Sequence, residues 1–303
     1  MREFLQLCQV GSFTENICRL VNIPEQTRKK HRHGNSAWLP GRHVLPAGGC
    51  RQHWVRLSMR RWLPELIAAP MLPLLAAQGR RVRRITPRLP CAEGPGFGIC
   101  EDTLGGPPLR LLAIGESPVA GVGVEHHEQA ITAALARELA RRLARPVHWR
   151  ACGLNGATVR QAQDQLLPLV PAQPVDVLLV AFGVNDSTAF HSTRRWQADL
   201  TLLLESLRAR CQPGMVLLAG VPPLAQFPGL PQPLRWVLGL KAAALDHVAA
   251  GLPGVRHVPM RHHQGLSGMM ASDNYHPSAL GCDAWARDLA HAAQLSLRQA
   301  RAA

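Results

Sequence analysis

Val175-Asp176-Val177-Leu178-Leu179-Val180-Ala181-Phe182-Gly183-Val184-Asn185-Asp186 sets the fold class of this chain. Val175 to Phe182 is a short, almost unbroken apolar run, and it turns within one residue into a glycine followed by two polar side chains. A run of that length predicts a strand buried on both faces, as in a parallel sheet covered by helices on either side. Gly-x-Asn-Asp at its end then predicts a loop that carries polar groups out of a dry interior.

The same alternation extends in both directions. Upstream, Leu109 to Ile114 and Pro146 to Ala151 read as strands, with helices over Gln129 to Leu143 and Val159 to Leu169. Downstream, Trp196 to Cys211, Pro233 to Ala250 and Ser278 to Arg298 read as helices, separated by strands at Val216 to Gly220 and Arg256 to Pro259. Five strands divided by helices predict an α/β, doubly wound, three-layer parallel sheet over residues 109–303. Sites in such sheets form beyond the carboxyl ends of the strands. Each polar cluster of the chain falls there or ahead of the last helix.

Composition agrees with a globular protein: 303 residues are 47% hydrophobic and 18% charged, enough to bury a large core. The net charge of +14 would suit a nucleic-acid binder, but its distribution does not. Residues 1–58 hold nine basic against three acidic side chains and 59–108 seven against four, while 109–303 holds eighteen against thirteen. No basic stripe interleaved with aromatics crosses the α/β region, so nucleic acid is not the expected partner. Eight cysteines lack CxxC spacing, and no HExxH occurs among fourteen histidines. Neither a metal nor an organic cofactor is expected.

The first 108 residues read differently. Residues 1–58 carry the basic run Arg28-Lys29-Lys30-His31-Arg32-His33 and no sustained hydrophobic period, which predicts a weakly structured extension. Residues 59–108 form a second segment: Trp62 to Ala77 is apolar, is interrupted by Pro64, Pro70 and Pro73, and is followed by Arg80-Arg81-Val82-Arg83-Arg84. It is too short and too proline-broken for a membrane span; an interfacial or packed helix flanked by arginines fits it. Peripheral membrane contact through residues 59–84 is therefore expected, in a cytoplasmic or membrane-associated protein. Translation from Met59 would leave export open, with Ala76-Ala77 a loose match to a cleavage site. Residues 85–108, rich in Pro and Gly, read as a linker or an arm lying on the domain.

Four clusters carry the chemistry: Gly115-Glu116-Ser117, Gly153-Leu154-Asn155-Gly156, Gly183-Val184-Asn185-Asp186 and Asp273-Asn274-Tyr275-His276-Pro277. They supply a hydroxyl, glycine-rich turns, a side-chain amide, a carboxylate and an imidazole. Acyl transfer through serine needs that set: nucleophile, base, a group to orient the base, and donors for the oxyanion. Ser117 could serve merely as a helix cap, but a capping serine has no need of the other three clusters. In Asp273-x-x-His276, a loop entering a helix brings the carboxylate to one ring nitrogen and leaves the other for Ser117.

On these four blocks, taken in order, residues 109–303 resemble the SGNH, or GDSL-type, hydrolase superfamily of esterases and lipases. The resemblance implies a flavodoxin-like fold, with Ser117 as nucleophile, His276 as base and Asp273 as its orienting acid. It also implies an oxyanion hole of the Ser117 and Gly156 backbone N–H groups and the Asn185 side-chain amide. The implied activity is hydrolysis of carboxylic esters through an acyl-enzyme, on a small-molecule or lipid-like substrate. Transfer of the acyl group to another hydroxyl, and a binding protein that has lost activity, are the alternatives. Glu116 stands where the family pattern has Asp, and Ala151 where relatives often carry Asn. Glu116 is expected to tie down the turn with a longer reach, and Asp186 to anchor its loop.

Overall fold

The computed structural model describes residues 50–101, 103–260 and 268–302, with the backbone alone at 50–62 and 297–302. The extension predicted over 1–58 lies almost wholly outside the described residues. The chain divides after Leu63 into two units. Of the first, only the opening turns of a helix are described; the second holds everything that follows.

The second unit is built on one six-stranded sheet. Its strands are β1 (Phe97–Cys100), β2 (Leu109–Gly115), β3 (Val147–Gly153), β4 (Val177–Ala181), β5 (Met215–Ala219) and β6 (Arg256–Val258). They lie side by side in the order β1-β3-β2-β4-β5-β6, all parallel except β1, which pairs antiparallel with β3. β4 is buried at every residue. Leu111 and Ala113 of β2, with Val177, Leu179 and Ala181 of β4, join one core cluster; Leu112, Ile114, Leu178 and Val180 between them are buried outside it. That period of two is what a strand covered on both faces requires.

Helices α2 (Ile131–Leu143) and α7 (Ala279–Ala302) pack together, with Leu135, Leu139, Trp285 and Leu289 in the cluster. The other helices are α3 (Val159–Gln165), α4 (Val184–Thr188), α5 (Thr193–Cys211) and α6 (Leu234–Ala250); α5 packs against both α3 and α6. Thr158 caps α3 by accepting from the Gln161 N–H, and Ser192 caps α5 by accepting from Arg195. The chain leaves β2 toward β3, then jumps back across β2 to β4. This reversal of strand order puts the carboxyl end of β2 at the switch point of the sheet, where open α/β folds form their sites.

Two elements differ from the expectation. The sheet has six strands rather than five: β1 falls in the segment read as a linker, too short and too exposed to leave a hydrophobic period. Phe97 and Ile99 are more than half exposed, and the strand is held by its register against Val147 to Arg150. The helix predicted through Leu169 ends at Gln165 and tightens into a 3₁₀ turn containing Pro168, which cannot continue an α-helix.

The proline-broken segment is a helix, as expected, and a longer one than its apolar run: α1 (Cys50–Ile85) passes through Pro64, Pro70 and Pro73. Tertiary packing outweighs the three prolines. Ala68 and Leu75 are buried, the latter contributing about 2 kcal/mol of transfer free energy. Lys241 of α6 is wholly buried and donates to Glu65 of α1, with its Nζ 5.0 Å from the centre of the Phe190 ring. Burial pulls the Lys241 pKa down, and Glu65 partly restores it. Farther along, Gln78 donates to the Gln232 carbonyl at 2.7 Å and accepts from the Leu234 N–H at 3.1 Å.

Candidate active site

Three loops leave the carboxyl ends of the adjacent strands β3, β2 and β4, where Gly153, Gly115 and Ala181 are register partners. Close approach explains two of the glycines. A Cβ on Gly115 would lie 2.6 Å from the Ala181 carbonyl oxygen, and one on Gly153 2.2 Å from the Ala120 nitrogen. Any side chain at these positions would push the loops apart.

Ser117 is 7% exposed, in a turn closed by Val119 and Ala120 N–H groups donating to the Glu116 carbonyl and by Val122 donating to that of Ser117. The backbone N–H groups of Ser117 and Gly156 have no acceptor among the described residues. Gly156 holds φ at +80°, a conformation costly for other residues. Two of the three donors expected for an oxyanion are thus unspent.

The third is engaged. Asn185 Nδ2 lies 2.5 Å from Glu116 Oε2 and 3.2 Å from the Ala157 carbonyl, so both amide hydrogens have acceptors within the loops. Glu116 also accepts the Val184 and Asn185 backbone N–H groups, each at 3.0 Å. Its carboxyl is buried, and that burial pushes its pKa up to about 8 against the pull of those donors. The glutamate therefore ties the serine turn to the β4 loop, which is the anchoring its longer reach predicted.

On the far side, His276 Nδ1 lies 2.6 Å from Asp273 Oδ2, while Asp273 Oδ1 accepts the backbone N–H groups of Tyr275 and His276. Burial alone would raise the Asp273 pKa; the His276 ring and those two N–H groups hold it below its ordinary value, so the carboxylate stays charged. A Cβ on Gly123 would lie 2.5 Å from the Pro277 carbonyl oxygen and 3.1 Å from His276 Cβ. The chain just past the serine turn is therefore packed against the histidine loop.

Ser117 and His276 line one pocket, walled by apolar side chains that include Phe227, Met260, Met269, Met270 and Trp285. Tyr275 lines it too, its ring edge-on to Phe227 at 5.2 Å and to His276 at 5.3 Å. The methionines and Trp285 carry no sequence motif; the apolar loop Pro222 to Trp236 contributes Pro222 and Phe227. Gly156 and Asn185 stand outside the pocket wall.

A second Asp–His pair went unrecognised. Asp186 Oδ1 lies 2.8 Å from His191 Nδ1, and its other oxygen accepts the Val159 N–H at the start of α3. Both side chains are buried, so Asp186 fastens the β4 loop to the helix after the Gly156 turn. Among the described residues no group of three His, Cys, Asp or Glu side chains is placed to hold a metal ion.

A sequence profile described as the GDSL-like Lipase/Acylhydrolase family matches residues 113–284. No curated protein matches the chain in sequence. Solved structures that align with it include TesA, 22% identical over 60% of this chain and 97% of that one, with a TM-score of 0.47. The psychrotrophic esterase EstA from Pseudoalteromonas sp. aligns at 17% identity over 62% and 98%, with a TM-score of 0.47. Axe2, an acetyl xylan esterase from Geobacillus stearothermophilus, aligns at 16% over 61% and 94%, with a TM-score of 0.45.

Proposed function

The chain belongs to the GDSL-like lipase/acylhydrolase family and is an ester-hydrolysing enzyme; from that premise we propose that Ser117 is its nucleophile and that hydrolysis runs through an acyl-enzyme. The observation that carries this reading is the shared pocket of Ser117 and His276, with the far ring nitrogen of His276 held 2.6 Å from a charged Asp273. In this reading Asp273 holds the imidazole in the tautomer that leaves Nε2 free for the hydroxyl proton, and stabilises the positive charge that forms on the ring.

His276 Nε2 takes the Ser117 hydroxyl proton as Oγ bonds to the ester carbonyl carbon. The carbonyl oxygen becomes an oxyanion, met by the free N–H groups of Ser117 and Gly156. Asn185 joins them once one amide hydrogen turns from Glu116. Collapse breaks the ester bond, and the alcohol leaves with the proton from His276. Water, losing a proton to the same histidine, attacks the acyl carbon and releases the acid and free Ser117.

The apolar wall suits an ester whose acyl chain or alcohol is hydrophobic, a small-molecule or lipid-like substrate. Steady-state hydrolysis of p-nitrophenyl esters of rising acyl length, on wild type and Ser117→Ala, tests nucleophile and pocket together. Loss of at least about 10³-fold in kcat is expected for the variant. Retention of most activity overturns the assignment of Ser117.

A further inference from the structure

Helix α1 has two faces over its second half. One carries Ala68 and Leu75, seven residues apart and buried against the domain. The other carries Leu66, Pro70, Pro73, Leu74 and Ala77, all exposed, Leu66 at 70% and Leu74 at 49%. At 100° per residue these five lie along one stripe, and the stripe runs directly into Arg80, Arg81 and Arg84, which are exposed as well. An apolar stripe that ends in arginines has no use for water on its apolar part, and no described residue covers it.

The charge is one-sided. Leu66 to Ala92 contains no aspartate or glutamate, whereas Arg80, Arg81, Arg83, Arg84 and Arg88 all fall within it. A partner must therefore be negative beside the arginines and apolar beside the leucines. The basic extension of residues 1–58 is the wrong sign to cover the arginine end. A bilayer with anionic headgroups meets both demands: leucines and prolines enter at the headgroup–acyl boundary while guanidinium groups pair with phosphates. No helix among the described residues is long and apolar enough to cross a membrane, so the contact lies along the surface.

Position adds to composition. Gln78 is bonded to Gln232 and Leu234, in the segment that contributes Pro222 and Phe227 to the pocket wall, and Trp236, 45% exposed, follows it. An exposed tryptophan is typical of a membrane–water interface. Arg83 lies close enough to Tyr275, another pocket residue, for its charge to act on the phenol.

We infer that the outward face of α1, from Leu66 to Arg84, docks the protein onto an anionic lipid surface and holds the pocket region beside that surface. This docking stands apart from the reaction: it needs no nucleophile.

Co-sedimentation of the full chain with vesicles of phosphatidylcholine alone, and of phosphatidylcholine mixed with phosphatidylglycerol, tests it. Binding is expected only to the mixed vesicles. It should fall at least about tenfold in the Arg80→Glu/Arg81→Glu/Arg84→Glu variant, and likewise in Leu66→Glu/Leu74→Glu. Both variants should hydrolyse a water-soluble ester as wild type does, and Ser117→Ala should still bind vesicles, so failure of the docking and failure of the catalytic reading separate. Hydrogen exchange of the wild type should show added protection over 66–85 on mixed vesicles, independent of any variant. No binding to mixed vesicles overturns the proposal. So does binding lost on reversing Arg28, Lys29 and Lys30 but kept in both α1 variants, or a self-associated protein whose dimer alone depends on Leu66 and Leu74.

Discussion

The two Asp–His pairs of this molecule are close in geometry and opposite in setting. Asp273 and His276 meet at 2.6 Å with the imidazole on the pocket wall; Asp186 and His191 meet at 2.8 Å with both side chains buried. The first pair has its imidazole in a pocket that a serine also lines. The second has a helix N-terminus on its remaining carboxylate oxygen. Pairing is common to both; what separates them is that only His276 lines a pocket together with a serine. The contrast predicts that breaking one pair costs rate, while breaking the other costs stability.

The largest effect should come from His276→Asn, which removes the proposed base: kcat for a soluble ester is expected to fall about 10⁴-fold or more, with thermal stability little changed. Asp273→Asn should cost about 10³- to 10⁴-fold, since a neutral partner holds the ring in the wrong tautomer. Stopped-flow or steady-state assays of both read this directly.

His191→Phe should invert that pattern. It leaves one oxygen of buried Asp186 without its partner, so urea denaturation should show about 2 kcal/mol of lost stability while kcat falls less than tenfold. Equal and large losses of rate in His191→Phe and His276→Asn would erase the distinction between the pairs.

Glu116→Gln should show the smallest effect on rate and a distinctive effect of pH. The folded-state pKa of Glu116 is raised from 4.5 to about 8. Its protonated form therefore contributes stability fully present below 4.5, and this is lost as pH rises through about 8. Wild type should thus lose stability relative to Glu116→Gln across that window, measured as the difference in denaturation midpoints. A constant difference from acid to alkaline pH would show that the carboxyl does not titrate there.

Much of this was legible from residue order because strand ends mark themselves: an apolar run stops, a glycine follows, and polar groups come next. Val177 to Ala181 and the loop after it are the clearest instance, and Asp273 to His276 is readable because both partners sit in one short loop. What escaped depends on contacts made at a distance. β1 takes its identity from register with β3, and Glu65 of α1 finds its partner in Lys241, far along the chain. Met260, Met269 and Trp285 become a pocket wall only when residues far from Ser117 fold over it. Glu116 looked like a departure from pattern, and its carboxyl gathers three N–H donors from the β4 loop.

The claim on which the rest depends is that Ser117 attacks. Intact-mass analysis after treatment with a serine-directed fluorophosphonate, followed by peptide mapping, tests it most directly. One adduct on the peptide containing Ser117 is predicted in wild type and none in Ser117→Ala, with the rate of labelling slowed in His276→Asn. An adduct that forms equally in Ser117→Ala, or on another residue, would contradict the account.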